Sequence, residues 1–160
     1  MDKNQSVIEY LLDCPQLKQN PLFFNAINAQ DNNKQIVTLA NDIKVNKPFI
    51  DGSVMRRYTF TIIDFKSVTY QPVVKLPGEQ YKNENVSDMF DAQGIIDWIS
   101  EQNDIRNFPD FGKDTQIEEI KALSENPNLN GIDSSSTPSL AKYSISIQID
   151  YIDFSKKLWR

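Results

Sequence analysis

Histidine is absent from this 160-residue chain, and with it go the commonest general base of enzymes and the commonest nitrogen ligand for zinc. Cysteine occurs once, at position 14, so no intramolecular disulfide and no structural zinc site can be built; Cys14 closes an apolar helical stretch, where a thiol packs as a small hydrophobe. The five glycines, at 52, 78, 94, 112 and 131, match neither the dinucleotide pattern G-x-G-x-x-G nor the phosphate-cradling P-loop. Basic charge is in deficit: 17 Lys and Arg stand against 22 Asp and Glu, a net charge of −5 with a pI near 4.7. A field of that sign repels phosphate. Arg56 and Arg57 are adjacent and point to opposite faces of a strand, and Lys156 and Lys157 lie close to the final residue, so no phosphate-tracking stripe forms and no specific nucleic-acid partner is expected. No apolar run approaches the ~18 residues of a membrane span. The polar start, Met1 to Ser6, lacks the basic and apolar regions of a secretion signal, which leads to the expectation of an intracellular protein. Neither an enzyme active site nor a cofactor is expected.

What is present is an ordinary globular composition, 39% hydrophobic and 24% charged, in a length that suits one domain over residues 1–160. Ser6-Val-Ile-Glu9 is a capping-box pattern and predicts a helix from Ser6 to about Asp13, with Val7, Leu11 and Cys14 on one face, Ile8 and Leu12 beside them, and Pro15 as the stop. Leu22 to Ile27 is too short to assign by period. A strand is predicted over Gln35 to Ala40. After the turn signal Asp51-Gly52, Met55 to Phe65 reads as a central strand, with Tyr58, Phe60 and Ile62 alternating against Thr59, Thr61 and Ile63. Pro72, Pro77 and Gly78 punctuate Tyr70 to Lys82, which reads as an extended arm. The main helix is predicted from Asn85 to about Asn103, with Met89, Ala92, Ile96 and Ile99 inward; Gly94 costs it about 1 kcal/mol relative to alanine, which close packing against a sheet would offset. Phe108-Pro-Asp-Phe-Gly112 is a turn with aromatic anchors. Thr115 to Leu123 is assigned as a strand although Ile117, Ile120 and Leu123 fit a helical spacing better. Ser124 to Ser139 reads as a polar loop, and Ala141 to Tyr151 as a long strand with Tyr143, Ile145, Ile147 and Ile149 on its dry face. Strands broken by only two helices, without a βαβ rhythm, predict an α+β fold: about four strands in an antiparallel or mixed sheet, with both helices on one face.

Only carboxylates are left for metal chemistry. Asp97 and Glu101, spaced i and i+4 on the main helix among Asp88 and Asp91, have the oxygen donors that Mg²⁺ or Ca²⁺ would take. The same acids are what the wet side of an amphipathic helix requires, and that simpler reading is preferred. Asp31-Asn-Asn-Lys34 and Asp51-Gly52 resemble fragments of calcium loops but lack the glutamate at the twelfth position, and read as turns. Tyr58, Phe60, Tyr143 and Tyr151 lack the basic neighbours of base-stacking sheets and belong to the core or to sheet-edge contacts.

Taken in series, Ser6-Val-Ile-Glu-Tyr-Leu-Leu, Phe49-Ile-Asp-Gly52, Arg57-Tyr-Thr-Phe60, Ile96-Asp-Trp-Ile-Ser-Glu-Gln-Asn103, Asn107-Phe-Pro-Asp-Phe-Gly112 and the closing Ala141 to Tyr151 strand resemble small tail proteins of phages and prophages of Gram-positive bacteria. The specificity lies in the order, since each motif is common alone. The resemblance implies a tail-terminator-like or minor tail protein: an α+β subunit that forms a ring, often a hexamer, where the tail tube meets the head. Its partners would be copies of itself and the neighbouring tail-tube and head-connector proteins. Its location would be the bacterial cytoplasm during assembly and then the virion tail. An acidic ring also suits passage of DNA, because a basic lumen would hold phosphate through counterion release. The expected assembly contacts are Asp51 in the hairpin and Tyr70, Pro72, Val74, Leu76 and Tyr81 in the arm, with the Ser-rich loop as a further contact. A different class of function, a monomeric adaptor or inhibitor that binds one host protein, fits the same composition.

Overall fold

A computed structural model describes residues 2–18, 22–24, 35–45, 47–67, 84–133 and 140–156. In chain order the elements are α1 (Lys3–Leu11), α2 (Pro15–Lys18), β1 (Leu22–Phe24), β2 (Gln35–Lys44), β3 (Val54–Ser67), α3 (Glu84–Asp104), β4 (Thr115–Ala122), β5 (Asn128–Asp133) and β6 (Leu140–Asp153). The fold is α+β. Among the described residues the sheet has six strands rather than about four, in the order β1-β2-β3-β6-β4, with β5 also pairing β6. β1 runs parallel to β2 and the other pairs are antiparallel.

The frame is the β3–β6 pair, two 14-residue strands in unbroken register from Val54↔Asp153 to Ser67↔Leu140. Strict alternation in both strands produces that register: Tyr58, Phe60 and Ile62 stand opposite Ile149, Ile147 and Ile145, and a slip of one residue would turn every one of them to water. These side chains form one buried cluster with Val7 and Leu11 of α1, Cys14 after it, Leu17 of α2, and Ala92, Ile95, Ile96 and Ile99 of α3. The helices therefore cover one face. On the other side of β6, β4 pairs with Ile147–Asp153 and β5 with Leu140–Ser144. β5 lies inside the stretch expected to be the Ser124 to Ser139 loop. Its bulge between Leu129 and Gly131 and its Asn and Gly residues hide the alternation by which a strand is recognised.

Local expectations at both ends of α1 and at Gly94 are corrected. α1 starts a turn before Ser6: Asp2 is the N-cap, its side chain accepting from the Asn4 N–H at 3.2 Å, and Ser6 is buried inside the helix. The extra turn is held by tertiary contacts, since Asn4 accepts the Tyr58 hydroxyl at 2.6 Å and Lys3 reaches Asp42. The same shift ends α1 at Leu11, so Leu12 is its exposed C-cap rather than a flanking core residue, and Pro15 opens α2 instead of stopping α1, as a missing N–H permits at a first helical position. Gly94 does sit at a close approach, but against α2: a Cβ there would lie 2.5 Å from Gln16 Nε2.

The helical spacing in β4 has a plain cause. Register shifts between Ile117 and Glu119, and the extra residue of this bulge lets Ile117 and Ile120, three apart, both face the core. The turn after α3 anchors as expected. Phe111 lies between Tyr58 and Tyr151, with ring centroids 5.5 and 5.2 Å away.

Candidate functional site

Among the described residues no helix covers the second face of the sheet. Its middle is polar and internally matched. Arg57 Nε donates to Asp150 Oδ1 at 2.9 Å, Gln148 Nε2 reaches Asp150 Oδ2 at 3.2 Å, and the Thr61 and Ser146 hydroxyls lie 3.2 Å apart. Arg56 and Arg57 do point to opposite faces, as adjacent strand residues must. With its charges paired in place, this middle offers little unmet polarity to a partner.

The end of that face nearest the β2–β3 hairpin is different. Met55 is opposite Ile152, Val45 donates its N–H to the Met55 carbonyl at 3.0 Å, and Ile43 pairs with Arg57. Alternation therefore puts Ile43, Val45, Met55 and Ile152 on the helix-free side. Beyond this patch lies the hairpin tip. Phe49 N–H donates to the Ser53 carbonyl at 2.8 Å and Gly52 N–H to the Phe49 carbonyl at 2.9 Å, so Ile50, Asp51 and Gly52 form the loop. Gly52 has φ 87°, the left-handed residue that closes a loop of this length. Asp51 Oδ1 accepts both the N–H and the hydroxyl of Ser53, at 2.9 and 2.6 Å. The turn thus holds Phe49 and Ile50 out in solvent, 48% and 93% exposed, beside Ile43 at 45%. Two large apolar side chains on a braced tip are a surface that another macromolecule can cover.

A second constellation lies on the helix side of the same end. The Tyr151 hydroxyl donates to Asp42 Oδ1 at 2.9 Å, Arg56 Nε lies 3.2 Å from the Tyr151 oxygen and 3.4 Å from Asp42 Oδ1, and Lys3 Nζ donates to Asp42 Oδ2 at 3.2 Å. Lys3 also stands 5.0 Å above the Tyr151 ring. Burial opposes the Lys3 and Arg56 charges, but Tyr151 and Asp42 more than offset it and both cations are held above their ordinary values. Burial also raises the Tyr151 hydroxyl. This is a closed network in which each charge has an opposite partner; it ties the start of α1 to β2, β3 and β6. It is a staple by its chemistry.

Of the residues expected to make assembly contacts, Asp51 is in the hairpin, where its carboxylate shapes the tip. Tyr70, Pro72, Val74, Leu76 and Tyr81 lie outside the described residues, as does the rest of the Tyr70 to Lys82 arm. Asp97 and Glu101 are exposed on α3, and Asp97 accepts from Gln93 at 3.2 Å. The exposed pair Phe49-Ile50 was not singled out from sequence as a contact, although its signal is there: two apolar residues directly before Asp-Gly are the ones a tight turn lifts off the sheet. A scan against protein-family models finds no match to this chain, and a search of curated proteins finds no relative.

Proposed function

We propose that the chain is a structural assembly subunit of a phage tail, a terminator-like or minor tail protein that forms a ring with copies of itself against tail-tube and head-connector proteins. The observation that carries the assembly part is the braced apolar tip, Phe49 and Ile50, at the hairpin end where Ile43, Val45, Met55 and Ile152 lie on the face that α1, α2 and α3 leave open. Leaving such side chains in water costs about 1.5–3 kcal/mol each relative to burial, and a subunit that recovers this energy in an assembly accounts for them. The phage setting comes from the order of sequence motifs, and the net charge of −5 suits a ring that DNA must pass without adhering. In this reading the protein works in the host cytoplasm during assembly and ends in the virion tail. The test is molar mass by light scattering over a concentration series at near-physiological salt. Mass rising above 18.4 kDa with concentration is the expected result. A mass fixed at the monomer throughout would overturn self-assembly and favour the adaptor reading, in which the same tip binds one host protein.

A further inference from the structure

A second feature lies at the opposite edge of the molecule. Between α3 and the outer side of β4 runs a groove of about 270 Å³, lined by the apolar Ile96, Ile120, Ala122 and Leu123 and by polar residues, Lys121 and Glu125 among them. Leu123 is 53% exposed at its mouth. Strand addition is blocked here, because the Ile120 N–H that points outward is already donated to Asn103 Oδ1 at 3.0 Å. The groove is open to side chains rather than to a backbone. Gln93 closes one end, donating to the Glu125 carbonyl at 2.9 Å and to Asp97 Oδ1 at 3.2 Å.

We propose that the hairpin tip of one copy seats Phe49 and Ile50 in the α3–β4 groove of the next, joining copies head to tail. This rests on the assembly reading above and names its contact. Charge selects this occupant. Exposed Glu125 lines the groove and exposed Asp97 is joined to that end through Gln93, while the lining lysine, Lys121, is matched by Glu119 at 3.2 Å. The tip carries exposed Lys47, and its Asp51 is turned back onto Ser53. An apolar knob beside a lysine therefore meets a slot with apolar walls and carboxylates at one end.

Position selects a second copy. The tip leaves the sheet at Val54, level with Asp153, whereas Ala122 is level with Ile147. At roughly 3.3 Å per residue the groove is about 20 Å further along β6, with β3 and β6 between. The tip cannot fill its own groove. Two different, mutually complementary patches make a heterologous contact, which closes into a ring when the rotation between copies allows.

The test uses full-length Ile50→Asp and Leu123→Asp, both at exposed positions, with thermal melts to verify folding. Each variant alone should stay at the monomer mass at concentrations where the wild-type chain assembles. Mixed, they should form dimers and nothing larger, because one intact tip and one intact groove make a single contact. Leu123→Asp assembling like wild type while Ile50→Asp does not would overturn the groove and leave the assembly reading standing. Wild-type monomer at every concentration would overturn both.

Discussion

Arg106 is the one described non-glycine residue with positive φ, 55°. It follows α3, where Asn107 N–H donates to the Gln102 carbonyl at 2.9 Å and Arg106 N–H to the Asn103 carbonyl at 3.1 Å, the pattern of a helix end that glycine normally completes. The left-handed conformation costs a residue with a Cβ about 1–2 kcal/mol. Arginine recovers part of this by lying 5.2 Å over the Phe108 ring, a contact of about 0.5–1 kcal/mol at an exposed site. Arg106→Gly should therefore stabilise the protein by up to about 1 kcal/mol, measured as a higher denaturant midpoint at unchanged slope. Loss of stability would show that the ring contact outweighs the backbone strain.

At the scale of elements, the β4 edge is blunted by its bulge, by Glu118, Glu119 and Lys121, and by the Asn103 side chain on the Ile120 N–H. These are devices that keep a free strand from pairing with another chain. Asn103→Ala should cost about 1 kcal/mol, the usual worth of such a bond, and should also raise aggregation during refolding, followed by turbidity. Unchanged stability would mean that water replaces Asn103 without loss. The same element shows what can be read from sequence. Long unbroken alternation made β3 and β6 legible, and helical periodicity with acidic faces made α3 legible. β4 is assignable as a strand in spite of a helical i, i+3 spacing, which its bulge produces, while β5 is hidden by Asn and Gly. The start of α1 was misplaced because Asp2 and Ser6 are both good caps, and contacts from Lys3 and Asn4 to β2 and β3, invisible locally, chose between them. The tip was legible as a turn but not as a surface, since exposure depends on which face the helices cover.

At the scale of the molecule, the groups shifted by folding divide by sign. The Cys14 thiol and the Tyr10, Tyr58 and Tyr151 hydroxyls are raised chiefly by burial. Lys3 is raised against burial by Tyr151 and Asp42. Each binds its proton more tightly folded than unfolded, so its contribution is complete below its unfolded value, about 8.5 to 10.4, and is lost as pH rises through the folded one. Asp153 goes the other way: burial opposes its charge, but Ser155, through its side chain and backbone, together with Lys3 and Arg56, holds it below 3.8. Its contribution is present above about pH 4 and is lost as pH falls further. Thermal midpoints should therefore vary little with pH between about 5 and 8 from these groups and fall steeply above about 10. Tyr151→Phe removes a titrating hydroxyl and the partner that holds Lys3 charged, so its alkaline fall should be shallower than that of the wild-type chain, and its neutral-pH stability lower by about 1 kcal/mol for the lost bond to Asp42. An alkaline limb of wild-type steepness in Tyr151→Phe would mean that the Lys3–Asp42–Tyr151 staple does not form in solution, and that α1 is held to the sheet by its apolar face and the Tyr58–Asn4 bond.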